Sequence, residues 1–452
     1  MILEDDSLQL LGDALKTLDS GFATLPLVSE ATADKHRMAA VMQEVAARMQ
    51  DNYPYFHPQY AGQMLKPPHP IARAAYALAT WINPNNHALD GGRASSQMEK
   101  EAVAQIAAMF GWKEHLGHLC GGGTIANLEA LWVAGQLHPG KKILASDQSH
   151  YTHSRISAVL GLKFAALPTD AKGRMDVIAL AKMLEAGDVG CVVATAGTTG
   201  TGSVDPLPEI LKLRERYSFR LHVDSAYGGY FTLASNLSPE TRAAFDCISK
   251  ADSIVIDPHK HGLQPYGCGC VLFRDPAVGE IYKHDSPYTY FTSSSLHLGE
   301  ISLECSRPGA SAVALWATMR LLPLTHGGEF AGTLDDCREA AVQLHQRLTQ
   351  DARWLVPFVP ELDIVVWAPR ARSAAAVSVL SQRIFDAAAK NSLHLALIRL
   401  PVRFFTSTQN VLEPDRDTVL CLRSVLMKPE HRAWLDRLWE LLSSSADEVS
   451  KA

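Results

Sequence analysis

The sequence has no apolar run long enough to cross a bilayer. Its longest, such as CVVATAG (191–197) and DIVVWAP (363–369), fall far short of the roughly 20 residues a membrane helix needs. It has no basic block, and a formal net charge of -6 argues against a nucleic-acid surface as its main business. The opening MILEDDSLQL lacks the basic start and apolar centre of a signal peptide, so the expected compartment is the cytoplasm. Cysteine is sparse and scattered. Only Cys268 and Cys270 lie close, and C-x-C without a second ligand pair makes a poor zinc site. In such a chain the thiols are expected to be mostly buried and free. His115, His118, His150 and His153 raise the question of a metal, but no H-E-x-x-H occurs, so separate roles and no metal are expected. Neither a P-loop nor a completed G-x-G-x-x-G is present around CGGGTIAN (120–127). Internal repeats and low-complexity segments are absent too.

What is present is an ordinary globular balance: 452 residues, 47% hydrophobic and 20% charged, enough for two or three domains. Residues 1–50, 71–81 and 96–110 carry helical periodicity. Residues 51–70 hold five prolines and several aromatics, the composition of an ordered loop rather than a flexible linker. From 117 to 275, apolar strands alternate with amphipathic helices, which predicts an α/β fold with a mostly parallel sheet covered on both faces. Long helices return over 308–346, followed by strand signals in DIVVWAP, LHLALIRL and TVLCLRSVL and a final helix over 429–446. The expected division is an N-terminal helical and loop segment (1–90), a large α/β domain (91–325) and a small C-terminal α+β domain (326–452).

Ligands of open α/β sheets sit beyond the carboxyl ends of the strands, so the residues that follow each strand are the ones to examine. KILA leads to Ser146, Asp147 and His150; CVVA leads to Thr195, Gly197, Thr198 and Thr199. LHV leads to Asp224, and SIVI leads to Asp257, His259 and Lys260. CGGGT (120–124) opens a helix whose free N–H groups suit a phosphate. Singly, each has an ordinary explanation: a tight turn, a helix cap, a satisfied polar histidine, a solvated lysine. Together they match pyridoxal 5'-phosphate (PLP). Its phosphate needs a helix N-terminus, its ring nitrogen a carboxylate, its aldehyde a lysine and its ring a flat partner.

SDQSHYTHSRIS (146–157), ATAGTTGTGSVDP (194–206), LHVDSAYGG (221–229) and DPHKHG (257–262) resemble the group II PLP-dependent amino-acid decarboxylases, which act on aromatic amino acids, glutamate and relatives. HPQYAGQMLKPPHPIA (57–72) and CLRSVLMKPEHRAWLDRLWELL (421–442) look like that family as well, so the resemblance covers most of the chain. It implies a fold type I, aspartate aminotransferase-like large domain that binds PLP, and a homodimer with active sites at the interface. It also implies decarboxylation of an L-amino acid to its amine. By the same resemblance, Lys260 would form the Schiff base and Asp224 would pair with the ring nitrogen. Ala226 and His150 would lie on opposite faces of the ring. Gly123 and Thr124 would cradle the phosphate, with His259 beside it, and Thr198 would sit near the ring hydroxyl. The proton donor would be Tyr288 or Tyr290 of KHDSPYTYFT (283–292), a stretch consistent with a lid. SRPGASAVALWATMR (306–320) resembles the segment by which subunits approach each other's sites, with Arg307 as a phosphate or substrate contact.

Two departures stand out. Asp257 replaces a frequent asparagine, and a carboxylate beside a phosphate is repulsive unless protonated or turned away. Ser225 replaces a common alanine. Two other functions share these features: a PLP-dependent carbon–carbon lyase or aldehyde-forming synthase, and a cofactor-free binding protein. The substrate stays open. YPYFHPQY (53–60) favours an aromatic side chain; Asn83, Asn85, Asn86 and His87 favour a polar or acidic one.

Overall fold

A computed structural model of the chain describes residues 6–26, 34–87, 91–283, 301–406 and 412–451. Four helices come first: α1 (Ser7–Ser20), α2 (Lys35–Met49), α3 (Pro70–Ile82) and α4 (Arg93–Met109). Their starts follow local chemistry. The Asp34 side chain accepts the N–H groups of His36 and Arg37 to cap α2, and α3 begins on Pro70, whose missing N–H costs nothing there.

The alternating region follows as β1 (Leu116–Cys120), α5 (Gly123–Leu137), β2 (Lys142–Ser146), α6 (Thr152–Val159), β3 (Lys163–Leu167), α7 (Val177–Leu184) and β4 (Val189–Thr195). It continues through α8 (Leu207–Arg214), β5 (Arg220–Asp224), α9 (Pro239–Asp246), β6 (Ser253–Ile256), β7 (Gly269–Phe273) and α10 (Gly279–Tyr282) to α11 (Gly309–Leu321). The strands form one seven-stranded sheet ordered β1-β7-β6-β5-β4-β2-β3. Strands β3, β2, β4, β5 and β6 pair in parallel, while β7 runs antiparallel to both β6 and β1. Every residue of β4 and β6 is buried, as a sheet covered on both faces requires. This is the mostly parallel architecture expected. Strand β1 was not among the expected strands, because LGHLC is short and follows a tryptophan-containing turn rather than an apolar run.

The chain then passes through α12 (Glu329–Gln350), β8 (Trp354–Leu355), β9 (Ile364–Pro369), α13 (Ala374–Lys390), β10 (Ala396–Pro401), β11 (Thr418–Val425) and α14 (His431–Lys451). The four strands form an antiparallel sheet ordered β10-β11-β9-β8, packed on α12 and α13, with α14 against those two helices. The first 90 residues divide between the two bodies. Helix α3 packs on α11, whereas Ala61 donates its N–H to His394 O and accepts from Val425 N–H, tying the proline-rich loop to the second sheet. No described helix is long and apolar enough to cross a membrane.

Candidate active site

The carboxyl ends of the parallel strands open into a cleft of about 320 Å³, a size typical of small-molecule sites. Its floor begins where β1 turns into α5. Gly122, with φ +139°, takes a backbone conformation that side chains rarely adopt, and a Cβ there would lie 3.2 Å from the His259 ring. A Cβ on Gly269 of β7 would strike the Gly122 backbone at 2.5 Å, so two glycines let these segments touch. Gly123 and Thr124 begin α5 and line the cleft with their N-terminal N–H groups. The loop already attracts an anionic side chain: Glu304 Oε2 accepts the Gly121 N–H at 3.3 Å.

Asp224 ends β5 and is buried. One oxygen accepts the Ala226 N–H at 3.1 Å, and the other lies 2.9 Å from His153 Nε2. Burial alone would raise this carboxyl's pKa, but the hydrogen bond and charge of His153 outweigh it and hold the group well below the usual carboxylate range. His150 and Ala226 both border the cleft. Burial lowers the pKa of the half-buried His150 imidazole and so favours its uncharged form.

Lys260 follows β6, with its Nζ 3.0 Å from Asp257 Oδ2. His259 bonds the Cys268 carbonyl through Nδ1 at 2.8 Å, and its ring packs against Tyr266. Behind the cleft, His222 of β5 joins Asn127 Oδ1 (2.8 Å) and Ser253 Oγ (2.9 Å), while Asn127 donates to Gly123 O at 2.8 Å. Burial pushes His222 down to about 3, so a neutral imidazole braces the start of α5.

The structure therefore gathers Gly123, Thr124, His150, Asp224, Ala226, His259 and Lys260 around one cavity. Thr198 is placed elsewhere. The backbone reverses at Gly197 (φ +101°), and the Thr198 hydroxyl bonds Thr201 Oγ1 at 2.8 Å and the Ser203 N–H at 3.1 Å; Thr195 and Thr199 border the cleft instead. Within this chain Arg307 also lies apart from the cleft lining. It is buried, with its guanidinium donating to Glu99 and to the carbonyls of Leu119 and Asn86. Asn86 bonds Glu99 and Ser95, Asn85 donates to Ser306, and Asn83 closes α3; within this chain none of these asparagines faces the cleft. Tyr288 and Tyr290 lie outside the described residues. His261 turns away to within 3.2 Å of Asp363, ahead of β9.

Three residues of this site carried little sequence signal. His153 and His222 meet their partners across long sequence separations, and Asn127 looked like one polar residue in an apolar helix. The period of a strand places His222 on the same face of β5 as Asp224, which was the one available clue.

A conserved-domain model described as the pyridoxal-dependent decarboxylase conserved domain matches residues 132–369. An L-tyrosine decarboxylase of Enterococcus faecium is 28% identical, covering 80% of this chain and 77% of that protein. A probable L-tyrosine/L-aspartate decarboxylase of Methanothermobacter thermautotrophicus is 29% identical, covering 68% of this chain and 82% of that one. Among solved structures, Oryza sativa TDC with PLP and tryptamine superposes with a TM-score of 0.78 at 18% identity, over 98% of this chain and 96% of that one. The matched domain spans more than half of the sequence and includes the carboxyl ends of β2, β4, β5 and β6 beside the cleft, and the chain belongs to the pyridoxal-dependent decarboxylase family.

Proposed function

We propose that this PLP-dependent carboxy-lyase converts an L-amino acid to its amine in the cleft around Lys260, as a cytoplasmic homodimer. L-Tyrosine and L-aspartate are the first substrates to test, because the relatives described above carry those names. The observation that carries the reading is a convergence at one end of one sheet: a glycine-lined helix N-terminus, an ionised buried carboxylate and a primary amine.

These residues fit the cofactor. The free N–H groups of α5 would hold the phosphate, in a loop where a side chain at Gly122 would crowd His259. The Asp224 carboxylate would keep the ring nitrogen protonated. Lys260 provides the amine that anchors the cofactor's carbonyl carbon. His150 and Ala226, which border the cleft, would confine the ring, and the His150 imidazole would orient the substrate carboxylate. Bound PLP supplies the electron sink that accepts the electron pair of the broken bond to the carboxylate. Proton delivery falls to Tyr288 or Tyr290.

Residues 91–325 form the cofactor-binding unit in this reading, with 326–452 as the smaller one. The homodimer is supported by α2. All of its residues are exposed, and Met38, Val41, Met42, Val45 and Met49 recur at helical spacing along it. A second copy of the chain is the proposed cover.

The test is a substrate panel assayed for carbon dioxide, amine and aldehyde. Stoichiometric carbon dioxide and amine from one amino acid supports the reading. Aldehyde without amine, or cleavage without carbon dioxide, overturns it in favour of a synthase or a carbon–carbon lyase on the same scaffold.

A further inference from the structure

We propose that His153 is a positioning residue for the cofactor's ring nitrogen and acts on it through Asp224. The inference rests on the reading that Asp224 faces that nitrogen.

Asp224 poses a physical problem. A carboxylate removed from water is costly unless fixed donors replace its hydration, and otherwise it takes up a proton. A protonated Asp224 would no longer hold a proton on the ring. Two protein donors meet it. The Ala226 N–H takes Oδ1 at 3.1 Å, and His153 Nε2 stands 2.9 Å from Oδ2. His153 is fully buried in the first turn of α6. An ionised carboxylate only accepts, so Nε2 is the nitrogen that carries the hydrogen. The other ring nitrogen, Nδ1, is buried and finds no hydrogen-bond partner among the described residues. The ring is thus committed to one contact, with Asp224.

The neighbouring histidine cannot substitute. His222 is engaged by Asn127 and Ser253 through its two nitrogens. With one lone pair of each oxygen taken, the Asp224 carboxylate is fixed in orientation, and its remaining lone pairs are available to the cleft that it lines. An apolar side chain at position 153 could fill the same space, yet it would leave Oδ2 a donor short.

The experiment measures PLP affinity of the full-length protein, and the nitrogen-15 shift of the ring in cofactor labelled at that position. His153→Phe should weaken PLP binding by roughly ten- to hundredfold, the worth of one hydrogen bond to a charged group. It should also move the nitrogen-15 signal toward the unprotonated value. His153→Gln, which keeps an N–H at similar reach, should recover most of both. Should the phenyl ring prevent folding, His153→Leu makes the same comparison. Asp224→Asn serves as the reference. If it moves the signal while folded His153→Phe or His153→Leu does not, the role of His153 is refuted and that of Asp224 stands. If Asp224→Asn leaves signal and affinity unchanged, the underlying reading falls, and this inference with it.

Discussion

Asp257 Oδ2 lies 3.0 Å from the amine of Lys260, and the same carboxylate sits at the foot of the glycine loop. A Cβ on Gly123 would come within 2.8 Å of that oxygen. One carboxylate therefore touches both the Lys260 amine and the start of α5. The departure noted in DPHKHG is a component of the site rather than punctuation after a strand.

For the cofactor this charge works in two directions. It holds the Lys260 ammonium in place, and it repels a phosphate at the end of α5. Two like charges about 5 Å apart cost roughly 3 kcal/mol at an effective dielectric near 20. Asp257→Asn should therefore tighten PLP binding about tenfold or more, read by titrating the apoprotein with cofactor. Weaker binding in this variant would show that the carboxylate helps to hold the cofactor.

Thr198 and Thr199 are adjacent in sequence, yet only Thr199 borders the cleft. Thr198→Val removes two hydrogen bonds of the 198–203 turn and should destabilise the protein by about 1–2 kcal/mol, with PLP affinity unchanged. Thr199→Ala should give the converse, altered cofactor affinity or KM with little change in the urea unfolding midpoint. The reverse pattern would put Thr198 in the site.

The exposed stripe of α2 makes an oligomer prediction. Met42→Glu places a charge in the middle of it and should shift sedimentation from dimer to monomer, with activity falling in parallel while circular dichroism stays constant. A variant that remains dimeric at low micromolar concentration counts against this face as the interface.

Lys428 links stability to pH. It is buried, and its Nζ donates to Tyr60 O at 2.6 Å. Burial first, and then the charge of Lys66, lower its pKa to about 7. Between that value and its ordinary 10.5 the unfolded chain binds the proton and the folded one does not, so stability rises with pH through this window. Lys428→Met should flatten the Tm profile between pH 7 and 10 and raise Tm near pH 7. An unchanged slope would assign the pH dependence to other groups.

How much of this was legible in the sequence depends on where a residue's partner lies. Lys260, Asp224, His150 and the glycine loop could be read because each follows its own strand, and a parallel sheet delivers every strand end to one side. The seven-stranded sheet was legible for the same reason, apart from β1, whose pairing with β7 spans most of the domain. The Glu99 partner of Arg307 could not be read, because it lies on a distant helix and nothing near SRPGA announces a buried carboxylate. Thr198 and Thr199 could not be told apart without the turn at Gly197, because the choice rests on a backbone angle rather than on side-chain chemistry.

The contact between Gly122 and Gly269 has a kinetic consequence. The glycine loop lies against a strand formed far later in the chain, and Lys260 stands between them in sequence. A nascent chain that has completed only its first strands has neither the amine nor the wall of the pocket. Non-local pairings of this kind form late, because loop closure must be met before they contribute. Capture of the cofactor should therefore mark the end of folding, and its arrival during refolding would time the closing of the sheet.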